Sequence, residues 1–226
     1  MSFAFADTVT RLRTALAAPL PGVEAQRRMA PRPRRNWRPG EIPDHVRDAA
    51  AVLLVYPVDG AATLALTERA DFLRLHAGQV SLPGGRLEPG EDTVAAALRE
   101  AHEEVGADPA AVEPLGALTP LHIPVSGHLL HPIVASIVTR PDFVPHDGEV
   151  ARLLEVPLAQ LASPSTRELR RWDYDGLTFI VPGFVIDDAF VWGATAMVLA
   201  EFLALLGVDV TLPADAAVRD VGARVP

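Results

Sequence analysis

The stretch "LTERADFLRLHAGQVSLPGGRLEPGEDTVAAALREAHEEVGA", residues 66–107, decides how the chain is read. Its last third is built for a helix. Asp92 or Thr93 can cap the start, "VAAALREAHEEV" consists of strong helix formers, and Gly106 suits the left-handed residue that ends a helix. On that helix Glu100 faces both Glu103 and Glu104, three and four residues on. Like charges at those spacings cost roughly 0.2–0.5 kcal/mol per pair when exposed, and more when buried. A divalent cation removes the conflict, because Mg²⁺ and Mn²⁺ take hard oxygen ligands. On its own, "REAHEE" reads as a solvated acidic face. The loop "PGGRLEPGE" in front of it changes the balance, because glycines let backbone groups approach a ligand closely.

Residues 85–107 resemble the signature of the Nudix hydrolases. That signature reads Gly, five residues, Glu, seven residues, Arg-Glu, an apolar residue, any residue, Glu-Glu, any residue, Gly and an apolar residue. Gly85, Glu91, Arg99, Glu100, Glu103, Glu104 and Gly106 fill the fixed positions, and Ala101 and Ala107 the apolar ones. The resemblance implies an α/β fold, the Nudix-type α/β/α sandwich around a mixed β-sheet, and hydrolysis of a nucleoside diphosphate linked to another group. It implies Mg²⁺ or Mn²⁺ held by Glu100, Glu103, Glu104 and the carbonyl of Gly84, with Arg99 orienting a carboxylate and Glu91 holding the loop. An acid outside the signature completes the site in several Nudix enzymes; Glu149, in "HDGEVARLLEVPL", is the candidate here.

The preceding run, "ALTERADFLRLHAGQVSLPGG", resembles a narrower signature found before the Nudix box in coenzyme A pyrophosphatases. Leu66, Thr67, Arg69, Ala70, Arg74, Gly78, Pro83, Gly84 and Gly85 match it, while Ala65 and Leu82 stand where it has Leu and Phe. This implies a coenzyme A diphosphatase, with Arg69, Arg74, His76 and Gly78 as substrate-binding candidates. Coenzyme A carries a 3′-phosphate as well as its diphosphate, and arginine forks grip phosphate. The alternative is a Nudix enzyme for ADP-ribose or another nucleotide. A Nudix domain that binds without catalysis is disfavoured, because all four signature glutamates are present. The Gln-Pro-Trp-Pro-Phe-Pro motif of NADH-cleaving members is absent.

Composition narrows the remainder. The 226 residues carry a formal charge of −9 and no cysteine, which excludes disulfides, thiolate metal sites and a cysteine nucleophile and fits a cytoplasmic setting. The first 50 residues hold nine Arg against five acidic residues and the remainder 11 against 24, so broad nucleic-acid binding is not expected. The basic run "RRMAPRPRRNWR", residues 27–38, reads as a solvated, proline-stiffened linker, with contact to a phosphorylated ligand as the alternative. No signal peptide is apparent. The apolar run "AFVWGATAMVLAEFLALLGV", residues 189–208, reads as one core helix covering a sheet rather than a membrane span.

Along the chain, Phe5, Val9, Leu12 and Leu16 mark an amphipathic first helix. "DAAAVLLVYP" and "ATLALTER" read as strands joined at "VDG"; "EPLGALTPLHIP" and "LLHPIVASIVTR" as further strands; "VPLAQLAS" as a short helix; and "RELRRWDYDGLTFIVP" as a hairpin turning at Asp175–Gly176. The expected organisation is an N-terminal helix and Arg/Pro-rich arm at 1–47, a Nudix domain at 48–206 and a patternless tail at 207–226. His128, His131 and His146 read as loop and surface residues, since an oxygen-rich site does not need them. The expected partner is a small nucleotide substrate, with no nucleic acid and no membrane.

Overall fold

The computed structural model describes residues 2–34, 37–69, 78–174, 176–213 and 215–222. Twelve strands and five α-helices follow one another as α1 (Phe5–Leu16), α2 (Gly22–Gln26), β1 (Arg47–Val58), β2 (Ala61–Arg69), β3 (Val80–Ser81), β4 (Gly84–Arg86), α3 (Thr93–Val105), β5 (Glu113–Ala117), β6 (Leu121–Ile123), β7 (His128–Ser136), β8 (Val150–Pro157), α4 (Leu158–Ala162), β9 (Arg167–Tyr174), β10 (Leu177–Ile186), β11 (Ala189–Trp192), α5 (Gly193–Leu205) and β12 (Val218–Asp220).

The main sheet is mixed. Its order is β3-β2-β1-β7-β5, with β4 also on β1, β6 on β7 and β8 on β2. Only β1 and β7 run parallel within it. β1 explains the layering. Ala50, Val52, Leu54 and Tyr56 pack with Ala96, Ala97, Ala101 and Val105 of α3, while Ala51, Leu53 and Val55 pack with α5 on the other face. A strand covered on both sides reads as a continuous apolar run, and alternate residues serve opposite layers. The small alanines of α3 bring that helix close to the sheet. The β1–β2 turn is Asp59–Gly60, both at positive φ, as a two-residue hairpin of this hand requires. The result is the α/β/α sandwich expected from the sequence.

Three expectations need correction. Residues 189–208 are not one helix: Ala189–Trp192 form β11, paired with β10 in a second, four-stranded sheet, and α5 starts only at Gly193. A β-run and a buried helix are equally apolar, so hydropathy alone could not separate them. Among the described residues, no helix is long and apolar enough to cross a membrane. The basic run at 27–38 is not simply a solvated linker. Met29 and Ala30 are buried, Arg32 exchanges two backbone hydrogen bonds with Ile180 at 2.9 and 2.8 Å, and the Arg34 guanidinium lies 4.7 Å over the Trp37 ring and against Met197. Burial pushes Arg34 down to about 10. Arg35 lies outside the described residues. The tail is not patternless in space either, since β12 pairs in parallel with β9.

Candidate active site

Helix α3 begins where Asp92 caps it, its side chain accepting from the Ala95 N–H at 2.8 Å, and ends at Gly106 with φ 74°. It delivers Glu100 and Glu104 to the glycine pair that opens β4. The Gly84 backbone lies near enough to the Glu104 carboxylate to favour its charged form, and a side chain at Gly85 would run into the Glu100 carboxylate. A side chain at Gly84 would instead meet the backbone of β1 at Ala50 and Ala51, so only glycine lets the two strands lie this closely.

Arg99 organises the loop. Its Nε and Nη2 donate to the two Glu91 oxygens at 2.9 and 3.1 Å, and Nη2 also donates to the Arg86 carbonyl at 3.0 Å. Glu91 in turn accepts from the Glu88 N–H at 3.0 Å. The remaining nitrogen, Nη1, donates to Glu100 and Glu103, each at 3.0 Å. This fork holds Glu91 below the usual carboxylate range and raises Arg99 itself. Glu103 is mostly exposed and Glu100 mostly covered. Among the described residues, no three His, Asp or Glu side chains are already drawn into a metal-sized cage.

Glu104 is the exceptional group. It is 5% exposed, and its Oε2 is buried with no hydrogen-bond partner. Burial, with the charges of Glu100 and Glu149 adding to it, pushes its carboxyl up to about 7, against the opposing pull of Arg69 and the Gly84 backbone. Burial also raises Glu100. A buried carboxylate oxygen with no donor, beside two more carboxylates, is what a hard cation would satisfy. The donor set therefore fits Mg²⁺ or Mn²⁺.

The sequence-derived candidates divide in space. Glu149 lies in the turn before β8, exposed, where its charge is felt by both Glu100 and Glu104. Arg69 ends β2, and its Nε is buried without a hydrogen-bond partner. Gly78, at φ 66°, pairs with Arg69: its N–H donates to the Arg69 carbonyl at 3.1 Å, and the Arg69 N–H donates to the Gln79 carbonyl at 3.0 Å. Arg74 and His76 lie outside the described residues. His146 supports the site through its backbone: its N–H donates to the Glu104 carbonyl at 2.8 Å, and its carbonyl accepts from the Glu149 N–H at 3.2 Å; His131 contacts Asp48 at 2.8 Å. Sequence reasoning passed over Arg47 and Arg86, which strand register brings to one face with His128.

The NUDIX domain pattern matches residues 45–175, more than half of the chain and all of the site just described. The protein belongs to the Nudix family. Two similar relatives are proteins named uncharacterized Nudix hydrolase NudL, from Yersinia pestis (strain Pestoides F) and Yersinia pseudotuberculosis serotype O:1b (strain IP 31758). Each is 39% identical over 151 residues, covering 66% of this chain and 75% of the relative. Among solved structures, the Nudix hydrolase RenU from M. smegmatis aligns with a TM-score of 0.49 at 20% identity, covering 74% of this chain and 89% of that one. As a Nudix hydrolase, the protein acts on a nucleoside diphosphate linked to a further group.

Proposed function

We propose that this Nudix hydrolase cleaves the diphosphate of coenzyme A or its derivatives, giving adenosine 3′,5′-bisphosphate and 4′-phosphopantetheine. The observation that carries this reading is the run ahead of the Nudix box, from Leu66 to Gly85, together with the position of its first arginine. Arg69 keeps a buried, unpaired Nε–H while its charge acts on Glu104. A donor left unmatched beside the carboxylates suits an anionic substrate.

Glu100, Glu103, Glu104 and the Gly84 carbonyl would hold Mg²⁺ or Mn²⁺. When bound, such a cation neutralises diphosphate charge and acidifies water. The chain's own residues do the rest. Arg69 grips a diphosphate oxygen. Arg99 keeps the Glu91 loop closed and holds Glu100 and Glu103 in place. Glu149, exposed and without a salt-bridge partner among the described residues, accepts a proton from water as the water attacks one phosphorus in line. The bond from that phosphorus to the bridging oxygen breaks, and the bridging oxygen leaves with the other phosphate.

The test is a product assay with Mg²⁺ or Mn²⁺, offering coenzyme A, ADP-ribose and NADH in parallel. Adenosine 3′,5′-bisphosphate and 4′-phosphopantetheine should form from coenzyme A with the highest kcat/KM. Preferred turnover of ADP-ribose would replace this reading with the broader nucleotide one.

A further inference from the structure

If coenzyme A is the substrate, its peripheral 3′-phosphate needs a cation of its own, and Arg69 lies against the reacting centre instead. The sheet offers another set. In β4, Arg86 pairs with Ala49 of β1; in β1, Arg47 pairs with His128 of β7. Ala49 and Arg47 are two residues apart, so their side chains leave the same face of the strand. Directly paired residues share a face as well, so Arg86, Arg47 and His128 stand together on one side of the sheet. Gly84, two residues before Arg86, lies on that side about 7 Å away along the strand.

The three groups lack acidic partners. Neither guanidinium forms a salt bridge among the described residues; Arg47 donates to the Ser126 carbonyl at 2.7 Å, and both arginines are exposed. The His128 Nε2 is buried without a hydrogen-bond partner. Burial, then the charges of Arg47 and Arg86, lowers the His128 pKa, so both guanidinium groups act on the ring. The cluster thus carries two guanidinium charges with no ion-pair partner among the described residues. Its electrostatic demand is for a compact anion, and two guanidinium groups plus a ring N–H match the oxygens of a phosphomonoester.

We propose that Arg47, Arg86 and His128 form a subsite for the peripheral phosphomonoester of the substrate, next to the catalytic glycine loop. This rests on the coenzyme A reading, because ADP-ribose and NADH have no such group. The subsite lies one short strand segment from Gly84, and in coenzyme A the ribose alone separates the 3′-phosphate from the diphosphate.

Calorimetric binding of adenosine 3′,5′-bisphosphate and of 5′-AMP tests this without turnover. The native protein should bind the bisphosphate at least about tenfold more tightly. Arg86→Ala and Arg47→Ala should each remove most of that difference and leave 5′-AMP binding within about twofold. Arg86→Lys, which keeps the charge, should retain part of it, and an unchanged melting temperature shows that the variants are folded. Equal losses for both nucleotides, or no loss for either, would overturn the subsite. Failure of the coenzyme A reading looks different: coenzyme A would not be cleaved although the bisphosphate preference and its loss in the variants were intact. Cleavage of coenzyme A and dephospho-coenzyme A with equal kcat/KM, by contrast, would remove the subsite and leave the reaction standing.

Discussion

Two buried glutamates, on helices that cover opposite faces of one sheet, have opposite surroundings. Glu201, in α5, is completely buried, and both of its oxygens are used. Oε1 accepts from the Gly22 N–H at 3.1 Å, the Thr119 N–H at 3.3 Å and the Thr119 hydroxyl at 2.7 Å, and Oε2 accepts from Gln26 at 2.8 Å. These bonds tie α2 and the segment before β6 to α5. Glu104, in α3, is nearly as buried but leaves Oε2 bare and stands among acids. A buried acid whose lone pairs are all met by donors is part of the scaffold. A buried acid left short of donors is strained in the free protein, and such strain collects at functional sites.

The largest expected effect separates these roles. Glu104→Gln should lower kcat by at least about 10²-fold, the scale of losing a charge-stabilising group, while the variant stays folded. Glu201→Gln should do the reverse. It replaces a fully satisfied carboxylate with an amide whose N–H₂ faces other donors, so urea denaturation should register a loss of about 3 kcal/mol, and activity per folded molecule should persist. If both variants lost activity and kept their stability, the distinction between the two acids would be wrong.

The next effect tests the strain itself. The folded-state pKa of Glu104 is raised from 4.5 to about 7, so folding favours its protonated form. That contribution is neutral below pH 4.5, and it turns unfavourable as pH rises through the interval from 4.5 to 7. Above pH 7 it reaches about 3 kcal/mol, at 1.36 kcal/mol per unit. Metal-free Glu104→Gln protein should therefore match the native protein near pH 4.5 and exceed its stability at pH 8. Adding Mg²⁺ or Mn²⁺ at pH 8 should stabilise the native protein and leave the variant nearly unmoved. Parallel stability curves for the two proteins across this range would remove the strain argument.

The two acids were not equally legible in the sequence. The spacing of Glu100, Glu103 and Glu104, the cap at Asp92 and the end at Gly106 lie within one helix, so local pattern was enough to place them. The hairpin at Asp59–Gly60 was legible for the same reason. Glu201 appeared only as the lone charge of an apolar run, because its donors, Gly22, Gln26 and Thr119, come from distant segments. The same limit hid Arg47 and Arg86, which meet through strand register, and made β11 look like the start of a helix. It also made the arm look solvated, since the Arg32–Ile180 pairing and the Arg34–Trp37 stack depend on tertiary contacts.

The smallest effect concerns the arginine that shares Glu104's surroundings. The sequence run suggested Arg69 for the 3′-phosphate, but its charge acts on Glu104, at the reacting centre. An arginine serving the diphosphate is blind to the peripheral phosphate, since the diphosphate is common to coenzyme A and dephospho-coenzyme A. Arg69→Ala should therefore reduce kcat/KM for both substrates by a similar factor. Losing a charge-assisted hydrogen bond costs roughly 1.5–3 kcal/mol, on the order of tenfold to a hundredfold. Arg86→Ala should instead penalise coenzyme A alone. A selective loss in Arg69→Ala would return the 3′-phosphate to this arginine. A shared loss would leave both buried, unsatisfied groups of the site, the Glu104 oxygen and the Arg69 N–H, matched to one ligand: the diphosphate together with its cation.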